Sequence, residues 1–480
     1  MTTSTRNTPE TLLLIQEGWT RHQEGCREAS FAGADGVVRH DETFLTADHP
    51  VCGAKGGFAA FLSLPQPRLL YQEGSLGIQM ISLAVLVLLG LFTAAAFGQD
   101  RPIVIKAATI FDGKGGVIKD SAIVIQGGKI VKLDPRAQGT VYDLTGLTVM
   151  PGWINTHLHV GSHFDADGRI HSNRNEPPEE SMMYMTENAY NILMGGFTTV
   201  QSVGERRDKF LRDAIARGSV PGPRVLTSLG QINERTGTPD QIRETVRKLV
   251  ADGADLIKLF ATNSIREGGT QTMSDEQIQA TCSEATKLGK RSLVHAQGPE
   301  GAKAAILAGC TAIEHGNRLT DEVITLMAQR GTWFDPNFGL LLHNYLENKA
   351  KYLGTGSYDE TGFAYMEKGI PIGIDTFKRA LAKNVKIVFG TDSVAGALGR
   401  DYEEFVYRVR DGGQKPMDAL VAAQSRASES MRMDKQIGAI APGMEADIIA
   451  TQGNPLDDIT AVRRVVFVMK GGKVYKNLAH

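Results

Sequence analysis

Cysteine is scarce in this chain, and long runs of one charge sign are missing. The 480 residues include only Cys26, Cys52, Cys282 and Cys310, which lie far apart and form no Cys-x-x-Cys pair. The spacing therefore indicates neither a disulfide framework nor a thiolate zinc site, and we expect Cys282 and Cys310 to be small buried apolar residues. The formal net charge is -2, so the charge pattern does not favour nucleic acid as a partner.

Low-complexity composition is missing as well. Hydrophobic residues make up 42% and charged residues 22% of the chain, which is typical of a protein with a large folded core. The length accommodates one barrel of roughly 250 to 300 residues together with a smaller domain.

The longest apolar segment covers residues 80–98. Residues 81–92 have the length of the hydrophobic region of a signal peptide, and 93–98 are rich in the small residues that precede a cleavage site. A membrane anchor is the alternative, because the segment approaches the roughly 20 residues that span a bilayer. We expect cleavage, and therefore an exported protein that is periplasmic or secreted.

The position of this segment is unusual, because a signal peptide belongs at the N-terminus. Residues 1–79 precede it and show little periodicity and no fold signal. We hypothesise that translation starts at Met80 and that 1–79 are an unstructured or over-called extension. Peptides from 1–79 in the native protein would contradict this hypothesis.

Short β-rich runs separated by Gly and Asp turn signals open and close the rest of the chain. They lie in residues 101–149 and 437–478. We expect these two terminal segments to pair into a small β-sandwich domain, with residues 150–436 inserted between them.

The inserted region alternates β-type runs with helical patterns, which indicates βα units. Eight candidate strands can be counted, the number that a (β/α)8 TIM barrel requires. They cover residues 150–157, 198–202, 224–228, 255–261, 291–295, 312–315, 332–336 and 385–390. Helices are predicted at 240–251 and 274–288, the second with a capping-box pattern at Ser274, and residues 161–180 are expected to form a loop over the barrel mouth.

Six side chains stand at the C-terminal ends of these strands or close to them, where TIM barrels carry their active sites. They are His157, His159, Lys258, His295, His315 and Asp392. Each has an ordinary alternative: a histidine can be a satisfied polar residue, a lysine can extend to solvent, and an aspartate can serve a turn. Their joint occurrence at strand ends favours a two-metal hydrolase site.

Lys258 is the unusual member of the set, because it lies in the apolar run Asp-Leu-Ile-Lys-Leu-Phe. Burial lowers the pKa of a lysine, and the neutral amine can add carbon dioxide to form a carbamate. The two anionic oxygens of a carbamate have the right shape to bridge two cations.

With these residues, the chain resembles the amidohydrolase superfamily over residues 103–475. The resemblance is carried by Pro151-Gly-Trp-Ile-Asn-Thr-His-Leu-His, Gly195-Gly-Phe-Thr-Thr-Val, Ile257-Lys-Leu-Phe, Val294-His-Ala, Ile313-Glu-His-Gly, Gly390-Thr-Asp and Ile437-Gly-Ala-Ile-Ala-Pro-Gly-Met-Glu-Ala-Asp-Ile-Ile. It is similar above all to the binuclear, prolidase-like branch with Xaa-Pro and Xaa-Arg dipeptidase-like and N-acyl-amino-acid-hydrolysing members.

The resemblance implies that one metal is held by His157, His159 and Asp392 and the other by His295 and His315. Carboxylated Lys258 then bridges both ions, of which zinc is the usual one, although manganese and cobalt fit the ligand types too. The expected reaction is hydrolysis of an amide or peptide bond in a small substrate, a dipeptide or N-acyl amino acid, by a hydroxide bridging two metals. Asp392 is expected to act first as general base and then as general acid.

Substrate contacts are less well marked. Arg266 is a candidate clamp for a substrate carboxylate, although solvent exposure is the alternative for it, and Tyr184, Arg235 and Asn337 are further candidates. Ser202 stands where similar proteins often carry an aspartate, which puts the function of that carboxylate in doubt. We interpret His163 and His171 as loop residues.

Two other functional classes stay open. A mononuclear deaminase or imidazolonepropionase-like cyclic-amide hydrolase has the same fold, but Lys258 argues against it because those sites lack the bridging lysine. A non-catalytic barrel scaffold is disfavoured by the intact ligand set. The expected partner is a small amide or dipeptide, with a membrane involved only if 80–98 stay uncleaved, and a homo-oligomer is compatible with the sequence.

Overall fold

The computed structural model describes residues 101–171 and 176–479. The predicted signal peptide at 80–98 and the extension 1–79 lie outside the described residues. Within the described part of the chain, no helix has the length and apolar character needed to cross a bilayer.

Sixteen strands are present in the described residues. They are β1 Ile103–Phe111, β2 Val117–Gln126, β3 Lys129–Leu133, β4 Thr140–Asp143, β5 Thr148–Pro151, β6 Trp153–Leu158, β7 Phe197–Ser202, β8 Arg224–Thr227, β9 Gln231–Ile232, β10 Leu256–Phe260, β11 Arg291–Ala296, β12 Ala312–His315, β13 Trp333–Asp335, β14 Ile448–Thr451, β15 Val465–Lys470 and β16 Lys473–Asn477.

Twelve α-helices are present in the same ranges. They are α1 Pro178–Met194, α2 Asp208–Ala216, α3 Pro239–Ala251, α4 Asp275–Lys287, α5 Pro299–Leu307, α6 Asp321–Arg330, α7 Leu340–Glu347, α8 Lys349–Tyr352, α9 Glu360–Ala382, α10 Glu403–Arg410, α11 Pro416–Ala422 and α12 Ser425–Ser430. The predicted capping box at α4 is confirmed, because Gln277 N donates to Ser274 Oγ (3.2 Å) and Ser274 N donates to Gln277 Oε1 (2.9 Å).

Strands from both ends of the described region share one sheet of eight strands. Its order is β16-β15-β14-β5-β1-β2-β3, and β4 also pairs with β1. The two terminal segments meet where β14 runs antiparallel to β5, with Ile448 opposite Pro151 and Thr451 opposite Thr148. One hydrogen-bonded sheet therefore holds all these strands, and the second layer of a sandwich stays a prediction.

The strands between these segments form two parallel sheets. One contains β9 to β13 and the other β6 to β8. Residues 385–393 lie between β13 and β6, since Phe334 pairs with Ile387 and Leu158 with Ser393 in parallel bridges. The predicted eighth strand, 385–390, thus contributes isolated bridges rather than a regular strand.

The predicted strand at 150–157 is divided in two by Gly152. Residues up to Pro151 belong to the terminal sheet, and those from Trp153 onward belong to the parallel sheet. A Cβ on Gly152 would stand 2.3 Å from Thr198 Oγ1, so only glycine fits at this crossing point. Because of this division, β6 pairs with the parallel strands, and His157 lies near the C-terminal end of β6.

A disulfide joins Cys282 in α4 to Cys310, whose Cα atoms are 5.2 Å apart. The prediction that these cysteines are merely buried apolar residues was therefore wrong. They are 28 residues apart in sequence, and neither spacing nor composition reveals that α4 packs beside the turn before β12.

Candidate metal centre

The C-terminal ends of the parallel strands surround a cavity of about 390 Å³. All six predicted metal ligands line it. They are His157, His159, Lys258, His295, His315 and Asp392. Strands β6, β10, β11 and β12, with the segment that follows the predicted strand at 385–390, thus bring residues that are distant in sequence to one cavity.

The Asp392 carboxylate faces three imidazoles. Asp392 Oδ1 is 2.9 Å from His159 Nε2 and 3.3 Å from His157 Nε2. Asp392 Oδ2 is 3.9 Å from His315 Nδ1. Donor atoms of His157, His315 and Asp392 all lie within 4.8 Å of one another, which suits a shared cation.

Lys258 stands beside this group with no exposed surface. Its Nζ is 3.4 Å from His157 Nε2. The rings of His295 and His315 have centroids 4.5 Å apart, and His295 Nε2 is 3.2 Å from the carbonyl oxygen of Asn263.

The buried setting favours the metal-binding protonation states of His157, His295 and Asp392. Burial, together with Lys258, lowers the pKa of His157 and of His295 to about 3, and burial lowers the pKa of Lys258 too. Burial acts to raise the pKa of Asp392, but His157 and His159 outweigh it and hold that pKa well below its usual range. Neutral imidazoles and an ionised carboxylate are the forms that bind cations.

Two of these residues adopt a left-handed backbone. His315 has φ 67° and Asp392 has φ 51°, in a region of backbone conformation that residues other than glycine rarely occupy. The backbone N–H of Asp392 donates to His157 O (2.8 Å), which holds the conformation in place. Such strain is concentrated at functional sites.

Glu314 belongs to the motif Ile313-Glu-His-Gly, but the sequence pattern predicts no role for it. Its Oε2 lies 2.6 Å from His157 Nδ1, and both side chains are 1% exposed. Burial raises the pKa of Glu314 to about 8. Neither atom makes a hydrogen bond in this arrangement, so a small rotation of either side chain would let the carboxyl orient the ring of a ligating histidine. The signal in the sequence was a glutamate between Ile313 and His315 in a buried strand.

Arg266 lies in the cavity wall rather than in solvent. Its guanidinium carbon is 4.0 Å from the centroid of the Tyr358 ring and 5.8 Å from that of Tyr345. Its Nε donates to Ser357 Oγ (3.1 Å). These contacts fix one face and one edge of the guanidinium.

The three other predicted substrate contacts are not among the residues that line the cavity. Tyr184 stacks on His163, with ring centroids 4.2 Å apart. Asn337 Nδ2 donates to Asp335 Oδ1 (2.9 Å) behind the site. Arg235 is 88% exposed. No local pattern in the sequence marks the residues that line a cavity, because position in the chain does not fix the direction of a side chain.

Ser202 lines the cavity at the end of β7, and a carboxylate that the sequence did not indicate lies beside it. Asp208, at the start of α2, also lines the cavity and interacts with the Ser202 hydroxyl. Thr227 Oγ1 donates to Asp208 Oδ2 (2.9 Å). A carboxylate therefore does lie beside Ser202, but it comes from the following helix and not from position 202.

A model of the amidohydrolase family matches residues 148–475. The chain belongs to the amidohydrolase family. It is 25% identical over 431 residues to ochratoxinase of Aspergillus niger, covering 80% of this chain and 88% of the relative.

Solved structures place this amidohydrolase near the prolidases. A crystal structure of a Xaa-Pro dipeptidase with bound methionine in the active site superimposes with a TM-score of 0.72 and 30% identity, covering 78% of this chain and 100% of that one. A prolidase complexed with N-methylphosphonate-L-proline gives a TM-score of 0.71 and 25% identity over the same shares. The amidohydrolase is thus a hydrolase of carbon–nitrogen bonds related to prolidases and ochratoxinase, which confirms the family prediction.

Proposed function

We propose that this amidohydrolase uses two metal ions to cleave an amide bond next to a free carboxylate, in a dipeptide or an N-acyl amino acid. The observation that carries the proposal is the fully buried amine of Lys258 in the same cavity as four imidazoles and Asp392. A lone cation in such a place is costly, whereas a carbamate on this amine would be an anion between two groups of metal ligands.

The donor set fits two divalent ions. His157, His159 and Asp392 would hold one, and His295 and His315 the other, with Lys258 shared as a carbamate. Nitrogen and oxygen donors suit Zn2+, and Mn2+ or Co2+ are the alternatives. When bound, such ions supply Lewis acidity to the attacking water and to the scissile carbonyl.

Carbamate formation and metal binding support each other. The lowered pKa leaves a fraction of Lys258 neutral, and its Nζ can add carbon dioxide with loss of one proton. The product is an anion that needs positive partners in a buried site. We therefore expect carbon dioxide and metal to bind cooperatively.

Asp392 is proposed to move the proton of the reaction. Its carboxylate is ionised and stands 2.9 Å from His159 Nε2, inside the cavity. An ionised carboxylate there can accept a proton from the attacking water and return it to the departing amine. Arg266 is proposed to pair with the substrate carboxylate, because its guanidinium is fixed by Tyr358 and Ser357.

The test combines metal analysis with a screen of dipeptides and N-acyl amino acids, on protein lacking residues 1–98. We expect Lys258→Met to lose metal and activity together, and 13C-bicarbonate to give a carbamate NMR signal in the parent protein only. Lys303→Met, a surface variant paired with Glu322, should match the parent. A single metal that persists in Lys258→Met, with deaminase activity, would favour the mononuclear alternative.

A second variant isolates the proton-transfer role. Asp392→Asn should keep metal yet lower turnover by on the order of 100-fold or more, because the amide cannot act as the base. Turnover close to that of the parent would show that another group moves the proton.

We also propose that the eight parallel segments close into a barrel. Contacts of residues 385–393 with β13 and β6 support closure on one side. On the other side, Asp255 N donates to Thr227 O (2.8 Å) and so joins the chain before β10 to β8.

Export is proposed on two grounds. Residues 80–98 have the pattern of a signal peptide, and the Cys282–Cys310 disulfide is of the kind that persists in oxidising compartments. Mass spectrometry of the N-terminus of the native protein tests this, with a mature start just after residue 98 expected.

A further inference from the structure

The loop after β6 contains a short hairpin in the cavity wall. Phe164 and Ile170 form an antiparallel bridge, and His171 N donates to His163 O (3.1 Å). This pairing brings the rings of His163 and His171 together, with centroids 4.6 Å apart and planes 18° apart. Both histidines line the cavity, although neither belongs to the six predicted ligands.

One carboxylate faces both rings. Glu176 Oε1 is 2.8 Å and Oε2 is 3.0 Å from His163 Nε2, and Oε2 is 3.6 Å from His171 Nδ1. The side chains of His163, His171 and Glu176 are 4%, 11% and 7% exposed. The Ser181 hydroxyl donates to Glu176 Oε2, which holds the carboxylate in place.

The hydrogen bonds of the His163 ring limit what can lie between its Nε2 and the Glu176 carboxylate. Its Nδ1 is 2.8 Å from the carbonyl oxygen of Gly161, which can only accept, so Nδ1 carries a proton. In the neutral ring, Nε2 then directs a lone pair at the Glu176 oxygens. Two acceptors at 2.8 Å repel unless a proton or a metal cation lies between them.

We propose that His163, His171 and Glu176 bind a divalent cation, separate from the metals of the six predicted ligands. Donor atoms of these three residues all lie within 4.8 Å of one another. Ligand atoms about 2.0 to 2.1 Å from a tetrahedral ion stand roughly 3.3 Å apart. The distances from Glu176 Oε2 to His163 Nε2 (3.0 Å) and to His171 Nδ1 (3.6 Å) lie within a few tenths of an ångström of that value. Two imidazoles and a carboxylate suit Zn2+ or a similar transition metal.

The arrangement around His163 matches that of a metal-binding histidine. The backbone carbonyl of Gly161 on the far nitrogen fixes both tautomer and ring orientation. A cation here would tie the hairpin to the residues that lead into α1, because Glu176 and its partner Ser181 lie on that side. The ion would therefore set the shape of the cavity wall, and these two loop histidines would have a metal-binding role as well.

The test measures bound metal in the full-length protein and three variants after Zn2+ loading and dialysis. We expect Glu176→Gln and His171→Asn each to bind one equivalent less than the parent. The control is His343→Asn, because His343 has the same type of carbonyl contact, from Nδ1 to Gly339 O at 2.8 Å, but stacks on Tyr407 outside the cavity. It should bind as much metal as the parent.

The same series in a Lys258→Met background separates this site from the proposed active site. Glu176→Gln should still remove one equivalent there, whatever number the six ligands hold. Substitution with Co2+ gives a second readout, since the absorption lost on Glu176→Gln should persist in His343→Asn. Equal metal content in the parent, Glu176→Gln and His171→Asn would overturn the proposal and leave a proton-shared ion pair.

Discussion

The two parallel sheets bring predicted metal ligands to the same cavity, but they hold them in different ways. In the five-stranded half, β9 to β13, neighbours keep an unbroken register, with Lys258 opposite Leu293 and His295 opposite Glu314. In the three-stranded half, β6 to β8 with residues 385–393, β6 shifts its register against β7 at two places.

Buried polar side chains replace the regular ladder in the three-stranded half. Asn155 Nδ2 donates to Thr391 Oγ1 (2.7 Å) and Asp401 Oδ1 (2.9 Å), while its Oδ1 accepts from the backbone N–H of His157 (3.1 Å) and Thr391 (3.2 Å). The comparison indicates that regular backbone pairing positions Lys258, whereas Asp392 is held by its backbone bond to His157 O (2.8 Å) together with these side chains. Stability and activity should therefore be coupled more tightly in the three-stranded half.

The largest effect is expected from Arg408, which has no exposed surface. Its guanidinium donates to Val388 O (2.6 Å), Gly390 O (3.1 Å) and Glu404 Oε1 (3.1 Å). Arg408→Met should lower the free energy of unfolding by about 3 to 5 kcal/mol, because it leaves a buried carboxylate without its partner. Denaturant unfolding measures this change.

Arg400→Met is the matched control for Arg408. Arg400 pairs with Glu347 at 3.0 Å where both side chains are more than 40% exposed, so the loss should stay below about 1 kcal/mol. Equal losses in the two variants would mean that the buried network does not hold residues 385–393.

The disulfide tests the five-stranded half. Cys282 and Cys310 close a loop of 28 residues, which should stabilise the native state by about 3 to 4 kcal/mol through the unfolded chain. The double variant Cys282→Ala, Cys310→Ala should lose this stability yet keep its turnover number. A fall in turnover that matches the loss of stability would remove the contrast between the halves.

Local sequence patterns predicted the elements and the ligands that depend on them. The capping box at Ser274 and the runs around Lys258 and His315 carry their signal within a few residues, so strand and helix positions follow from periodicity. The family motifs identified the amidohydrolase fold for the same reason.

Long-range partners were not predictable in this way. Arg408 meets Asp335 at 3.6 Å across the core, and nothing near either residue in sequence indicates the other. The same holds for the disulfide between Cys282 and Cys310. The break of the predicted strand at Gly152 was not predicted, because a glycine within an apolar run does not indicate that Thr198 packs against it.

Asn155 offers a test of the coupling between stability and activity. Asn155→Leu removes four hydrogen bonds, three of them between β6 and residues 391–401, and we expect a loss of about 2 to 3 kcal/mol in the free energy of unfolding. Turnover should fall too, because Asp392 follows Thr391 directly. Ile313→Val, a fully buried change in β12, should cost about 1 kcal/mol without changing turnover, as enzyme assays on both variants would reveal.

The smallest effect is expected from the titration of Asp208. Burial raises the pKa of Asp208 to about 6, above the value near 3.9 of an unfolded aspartate. The folded state thus favours the protonated form, so the stability it contributes is fully present below pH 4 and is lost as the pH rises through 6. From pH 4 to pH 7 the free energy of unfolding of the parent should fall by on the order of 2 kcal/mol more than that of Asp208→Asn.

Urea unfolding at both pH values measures the difference between the parent and Asp208→Asn. Asp240→Asn is the control, because Asp240 is 94% exposed and should leave the pH dependence of the parent unchanged. If Asp208→Asn shows the same pH dependence of unfolding as the parent, the Asp208 carboxylate of the folded parent is ionised over this pH range. The hydrogen bonds that Asp208 accepts from Ser202 and Thr227 would then offset the cost of burying its charge.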